Sequence, residues 1–102
     1  MKKNLYVDNG IRVTPTKVTA GDNVKVSYDG ILAQSGATEI YAHVGFGNTW
    51  KDARDYKMIR TTTGFEASIP ITYAKPVNLC FKDSINNWDN NSGYNYTFDI
   101  VD

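Results

Sequence analysis

Hydrophobic residues in this chain recur mostly at every second position. Val24, Val26 and Tyr28 alternate with Lys25 and Ser27. Ile40, Ala42 and Val44 alternate with Tyr41 and His43. Val77, Leu79 and Phe81 alternate with Asn78 and Cys80, and Tyr94, Tyr96, Phe98 and Ile100 mark a last run. A period of two places successive side chains on opposite faces of a strand, so one face of each run predicts a core. Gly10 to Pro15 predicts a short edge strand closed by proline. Residues 1–9 show no period beyond Leu5-Tyr6-Val7 and read as a linker or an edge strand.

Turn residues punctuate these runs. Thr19 to Asn23, Asp29-Gly30 and Ser35-Gly36 are breaks of the kind that favour tight turns. Tyr56 to Thr61 and Phe65 to Ile71 flank Thr62-Thr63-Gly64 and predict a hairpin, with Phe65, Ala67 and Ile69 inward opposite Met58. Asp52 to Tyr56 is charged and predicts a helical turn or a plain loop. No ten-residue stretch carries a 3.6-residue period. Roughly six to eight short strands separated by turns predict an all-β chain, an antiparallel immunoglobulin-like β-sandwich formed as a single domain over residues 10–102.

Composition narrows the function. At 102 residues the chain is one domain, large enough to bury a core without staples. Eleven Lys plus Arg balance eleven Asp plus Glu, and no basic stripe is present. A nucleic acid or anionic membrane as partner is not expected. Met1-Lys2-Lys3 is followed by no apolar run of signal or membrane length. The expectation is a cytosolic chain, or a module whose parent supplies the targeting. The single cysteine, Cys80, lies within a strand pattern and reads as a small buried hydrophobe.

Two loops interrupt the pattern with exposed chemistry. Gly45 to Trp50 carries Phe46 and Trp50 between glycines. Lys82 to Gly93 crowds Asn, Asp and Ser around Ile85 and Trp88. Alternation turns His43 away from Ile40, Ala42 and Val44, toward the face that the first loop borders. A pyranose presents a face of C–H groups and a rim of hydroxyls. Binding one requires a flat aromatic for the face, with amides and charges for the rim. Trp88 with Lys82, Asp83, Asn86, Asn87, Asp89, Asn90 and Asn91 around it supplies both. Trp50 and His43 supply the second half. The contrary reading folds each tryptophan into the sandwich as an end plug.

Other chemistries fit less well. Glycoside hydrolysis needs two carboxylates across a cleft, and Asp52, Asp55, Asp83 and Asp89 lie in solvated loops of a small chain. The Asp83 to Asn91 spacing departs from the twelve-residue calcium loop, so no metal or other cofactor is expected. A spacer or adhesion domain with no small ligand is the alternative, since sandwiches host unrelated functions.

The order of fragments carries a resemblance. Ile40-Tyr41-Ala42-His43-Val44-Gly45-Phe46-Gly47, Trp50, Lys57-Met58, Gly64-Phe65-Glu66, Cys80 to Ser84 and Asn87 to Asn91 together resemble the starch-binding carbohydrate-binding module family 25. The plant-type family 53 is similar. The chain departs from the family pattern at Val44, where an aromatic often follows the histidine, and at Asn48-Thr49. The resemblance implies a β-sandwich that binds starch, amylose or malto-oligosaccharides, with α-1,4 and α-1,6 linkages in view. It implies attachment to a secreted, extracellular glycoside hydrolase of amylase type, and no catalytic residues of the module's own. It places the family's histidine and tryptophans on His43, Trp50 and Trp88; the loops themselves add Phe46, Lys82, Asn90 and Asn91 as candidate contacts.

Overall fold

The computed structural model describes residues 6–14 and 18–100. Its strands run in chain order as β1 (Ile11–Thr14), β2 (Asn23–Tyr28), β3 (Ile40–Phe46), β4 (Lys51–Lys57), β5 (Ile59–Thr61), β6 (Gly64–Pro70), β7 (Val77–Asp83), β8 (Trp88–Asp89) and β9 (Tyr96–Phe98). One turn of helix, α1 (Ile31–Gln34), joins β2 to β3. One sheet has the order β1-β2-β6-β5. The other has the order β4-β3-β7-β8, with β9 also on β7, and all pairings are antiparallel. The chain is an antiparallel β-sandwich.

Alternation builds the core as expected. Val24, Val26, Tyr28, Ile40, Ala42, Val44, Phe65, Ile69, Leu79, Phe81, Tyr96 and Phe98 are buried between the sheets. The Tyr28 ring stacks on Phe81 with centroids 4.2 Å apart. The gap among the aliphatic side chains of this interior is only about 10 Å³, about one water probe sphere. A sugar must therefore bind on the outside.

Among the described residues Asp83 and Asp89 are the buried charged side chains, and Asp89 enters the core. The buried Asp89 carboxylate accepts from the Tyr28 hydroxyl at 2.7 Å and the Tyr96 hydroxyl at 2.6 Å. The Tyr28 oxygen in turn accepts from the Leu32 N–H of α1 at 3.2 Å. Burial, reinforced by the bonds to Asp89, pushes both phenols above the ordinary tyrosine range. They remain donors. This network fixes β8, and β8 carries Trp88.

The structure refines several expectations. Asp52 to Tyr56 is neither helical nor loop but most of β4, an edge strand almost wholly exposed, so it has no apolar face to betray it. Met58 is buried where the chain passes from β4 in one sheet to β5 in the other, its N–H still bonded to Ile40 O at 2.9 Å. Helix α1 is too short to show a period. The last strand is limited to Tyr96–Phe98, leaving Tyr94 exposed. Val7–Asn9 forms a 3-10 turn before β1, while residues 1–5 and Pro15 lie outside the described residues.

Candidate functional site

Strand register brings the chemistry onto one surface. On the outer face of the β4-β3-β7-β8 sheet, His43 stands opposite Asp55 on one side and Cys80 on the other. In the next row Tyr41 stands opposite Lys57 and Lys82, and Lys82 stands opposite Trp88. Directly paired residues share a face, so Asp55, Lys57, Tyr41, His43, Lys82 and Trp88 form one two-row array. Cys80 belongs to this face too and is buried within it. Burial, with the negative charges of Asp55 and Asp89, pushes its thiol up to about 11. The expected inert, buried cysteine is what the fold contains, although on the outer rather than the inner face.

Trp50 reaches the array from a turn. Its N–H donates to Gly47 O at 3.2 Å, and the same carbonyl accepts from Asn78 Nδ2 at 2.7 Å. Asn78 Oδ1 accepts in turn from the Thr97 hydroxyl at 3.0 Å. Trp50 has φ of 53° and Asp52 has φ of 55°. Left-handed backbone at a bulky residue costs about 1–3 kcal/mol and persists only where the surroundings enforce it. The register shifts between Val44 and Phe46, where β4 starts, and such a bulge re-aims side chains. The result is an indole laid back over Gly45. A Cβ on Gly45 would come within 2.6 Å of Trp50 Cε3.

The aromatic rings then assemble around His43. Its imidazole stacks on Trp50, with centroids 5.4 Å apart and planes at 25°, and meets Trp88 edge-on at 5.7 Å and 87°. The two indoles therefore stand at a steep angle. His43 Nδ1 lies 2.6 Å from Asp55 Oδ1, and Lys82 Nζ lies 2.9 Å from Asp55 Oδ2. Burial alone would raise the Asp55 pKa, but the bonds from Lys82 and His43 outweigh it and hold the carboxyl below its ordinary range. An ionised carboxylate only accepts, so the proton sits on His43 Nδ1, and in the neutral ring Nε2 is left as an acceptor. Lys82 Nζ also lies 5.3 Å from the Trp88 ring centroid and 5.9 Å from that of Tyr41.

The second loop is held by its own carboxylates. Asp83 Oδ1 accepts from the Ile85 and Asn87 N–H groups at 3.0 and 2.9 Å, and Oδ2 accepts from Asn87 Nδ2 at 2.9 Å. The Asn87 side-chain bond, followed by those backbone bonds, holds the Asp83 carboxyl below its ordinary range against the effect of burial. With Asp83 and Asp89 both committed inside the protein, neither is free to ligate a cation. Among the described residues no group of three or more His, Cys, Asp and Glu side chains could hold a metal.

Of the expected contacts, His43, Trp50, Trp88 and Lys82 are together. Phe46 is not: β3 continues through it, alternation turns it inward with Val44, and it is buried against Tyr73. Asn91 is also elsewhere. Its side-chain amide donates to Asn95 O at 3.1 Å, and it lines a cleft at the end of the sandwich with Gly30, Gln34 and Tyr96. Asn90 is exposed, its Oδ1 accepting from the Gly93 N–H at 3.1 Å. Sequence reasoning missed the positioning role of Asp55, because only the pairing of β4 with β3 brings it to His43. It also missed Tyr41, although its alternation with Ala42 and its place beside His43 pointed outward.

Comparison with known proteins gives the chain a family. Residues 24–79, more than half of the chain, match a family described as a starch/carbohydrate-binding module, family 53. The match includes His43 and Trp50 and stops before Lys82 and Trp88. An alpha-amylase of Clostridium acetobutylicum is 32% identical over 84 residues, which is 80% of this chain and 10% of that protein. The chain thus spans about a tenth of the length of this relative. No solved structure matches the chain. The chain belongs to the starch/carbohydrate-binding module family 53.

Proposed function

We propose that the array of His43, Trp50, Lys82 and Trp88 is the surface on which the module binds α-glucan, without catalysis of its own. The observation that carries this reading is the steep angle between the two indoles, held through His43. Coplanar rings suit a flat chain such as cellulose. Angled rings suit the curved surface of an α-1,4-linked helix, including the α-1,4-linked segments of α-1,6-branched glucan. Trp50 and Trp88 cover pyranose faces, His43 Nε2 accepts from a hydroxyl, and the Lys82 ammonium donates to another. Asn90 stands at the margin as a further amide contact. Motif order relates the same surface to family 25.

Each stack contributes about 1–3 kcal/mol. Association costs on the order of 4 kcal/mol or more, so two stacks alone leave binding no tighter than about millimolar, and hydrogen bonds to the hydroxyl rim supply the remainder. Weak binding of this kind serves to hold an attached enzyme on an insoluble substrate, where effective concentration raises avidity. The amylase relative supports attachment to a secreted, extracellular glycoside hydrolase as the parent. The competing spacer reading requires both tryptophans to be folded away, and the 47% exposure of Trp88 speaks against it.

Native gels containing soluble starch, with a cellulose derivative as control, test the reading on wild type, Trp50→Ala and Trp88→Ala. Retardation by starch alone, lost in both folded variants, is the expected result. Equal migration of wild type in all gels would sink it.

A further inference from the structure

Trp88 is a wall with two sides. Strand order places β7 and β3, hence Lys82 and His43, on one side of β8. Helix α1 also packs against β8, and between them lies an open cleft of about 520 Å³. Its lining includes Ile31, Leu32, Ala37, Ile85, Asn87 and Trp88 itself. Its size falls within the range of about 300–1,000 Å³ for small-molecule sites.

The lining is unusual for a solvated surface. Ile31 is 65% exposed and Ile85 is 77% exposed, and with Trp88 they converge on this one cleft. Clustered exposed apolar groups mark a contact surface, whereas scattered ones do not. Among the described residues the only charged one at its edge is Asp83, whose oxygens are already satisfied by Ile85 and Asn87. The cleft therefore has C–H surface for its walls, with the Ser35 hydroxyl and the Asn87 amide oxygen as polar partners, and no uncommitted charge. That chemistry fits a neutral ligand with apolar faces and hydroxyls.

Resting on the reading of the aromatic face given above, we propose that this cleft is a second glucosyl-binding subsite, occupied by the continuation of the same α-glucan chain after it turns past the edge of Trp88. The shared indole makes the two surfaces continuous. Lys82 Nζ lies 5.3 Å from the Trp88 ring centroid, and the same indole also lines the cleft. Only chains long enough to pass Trp88 reach the subsite. It thus makes the module selective for longer glucans, by burial of Ile31 and Ile85 methyl groups.

Calorimetric titration with maltotriose and maltoheptaose tests this on wild type, on Trp50→Ala, and on the double variant Ile31→Ser with Ile85→Ser, whose side chains are too exposed to hold the fold. Wild type is expected to bind maltoheptaose about tenfold more tightly than maltotriose, a gap of about 1.4 kcal/mol. The double variant is expected to bind both alike, at the wild-type maltotriose affinity. Methyl resonances of Ile31 and Ile85 are expected to shift with maltoheptaose and not with maltotriose. A double variant that keeps the chain-length gap overturns the subsite while leaving the aromatic face intact. So do methyl shifts that follow protein concentration without sugar, since a second copy then fills the cleft. Wild type that binds neither sugar overturns the aromatic-face reading itself, as does unchanged binding by Trp50→Ala.

Discussion

The Trp50 indole lies on the backbone of Gly45, so close that a Cβ there would meet Trp50 Cε3 at 2.6 Å and its Cα and Cβ at 3.0 Å. Gly45 is part of β3 and provides the flat floor on which the ring rests parallel to His43. Gly45→Ala is expected to lift the indole from that floor, leave the strand paired, and weaken starch binding by about tenfold, the loss of one stack. Affinity gels report the binding, and near-ultraviolet circular dichroism reports the ring. Retention of wild-type mobility in starch would show that the ring's seat does not matter.

Asp89 adjoins Trp88 in sequence but faces the opposite way, into the Tyr28 and Tyr96 hydroxyls. Replacing Tyr28 by Phe removes one donor from a buried carboxylate and frees the Leu32 N–H. Tyr28→Phe is expected to cost about 1–3 kcal/mol of stability in urea titration. Asp89→Ala is expected to cost more, because two phenols then lose their acceptor. A midpoint unchanged in either variant would remove this network from the account of how β8 is held.

Acid is expected to release the second loop. Asp83 has a folded pKa below its ordinary value, so its hydrogen bonds contribute stability that is fully present above roughly pH 4. The contribution fades as pH falls through the lower folded value. Asp55, depressed by Lys82 and His43, titrates in the same direction and loosens the aromatic array. Amide exchange of Ile85 and Asn87, taken relative to the intrinsic rate at each pH, is expected to accelerate on passing from pH 5 to about pH 3. In Asp83→Asn the acceleration is expected to be much reduced, since the titrating group is gone. An equal response in both proteins would place the acid effect elsewhere.

Phe46 separates core from site. As a buried ring packed against Tyr73 it is expected to cost about 3–5 kcal/mol of stability when truncated to Ala. Phe46→Leu is expected to remain folded and to bind starch as wild type does. A folded Phe46→Leu protein with lost binding would return Phe46 to the site.

Much of this architecture is readable in the chain because burial on one side of a strand imposes a period of two. Val24-Lys25-Val26, Ile40-Tyr41-Ala42 and Val77-Asn78-Leu79 each announce a strand and its inner face. His43 was legible for the same reason, and the two tryptophans because Asn- and Gly-rich turns offer them no apolar partner. The same rule, carried two residues further along β3, would have placed Phe46 inside. In sequence Gly45 reads as the start of a loop, which hides that step. Strand β4 was illegible because an edge strand exposed on both faces has no pattern to show.

The sequence by itself determined the inward residues of the alternating runs and that both tryptophans border turns, since these follow from local periodicity and turn chemistry. Only the tertiary structure decided that Asp55 meets His43 and Lys82, that the indoles stand at a steep angle, and that Trp88 divides two surfaces. Those relations depend on strand order, register and one bulge. These in turn are set by the packing of the whole sandwich, because pairing partners far apart in the chain leave no local mark of their meeting.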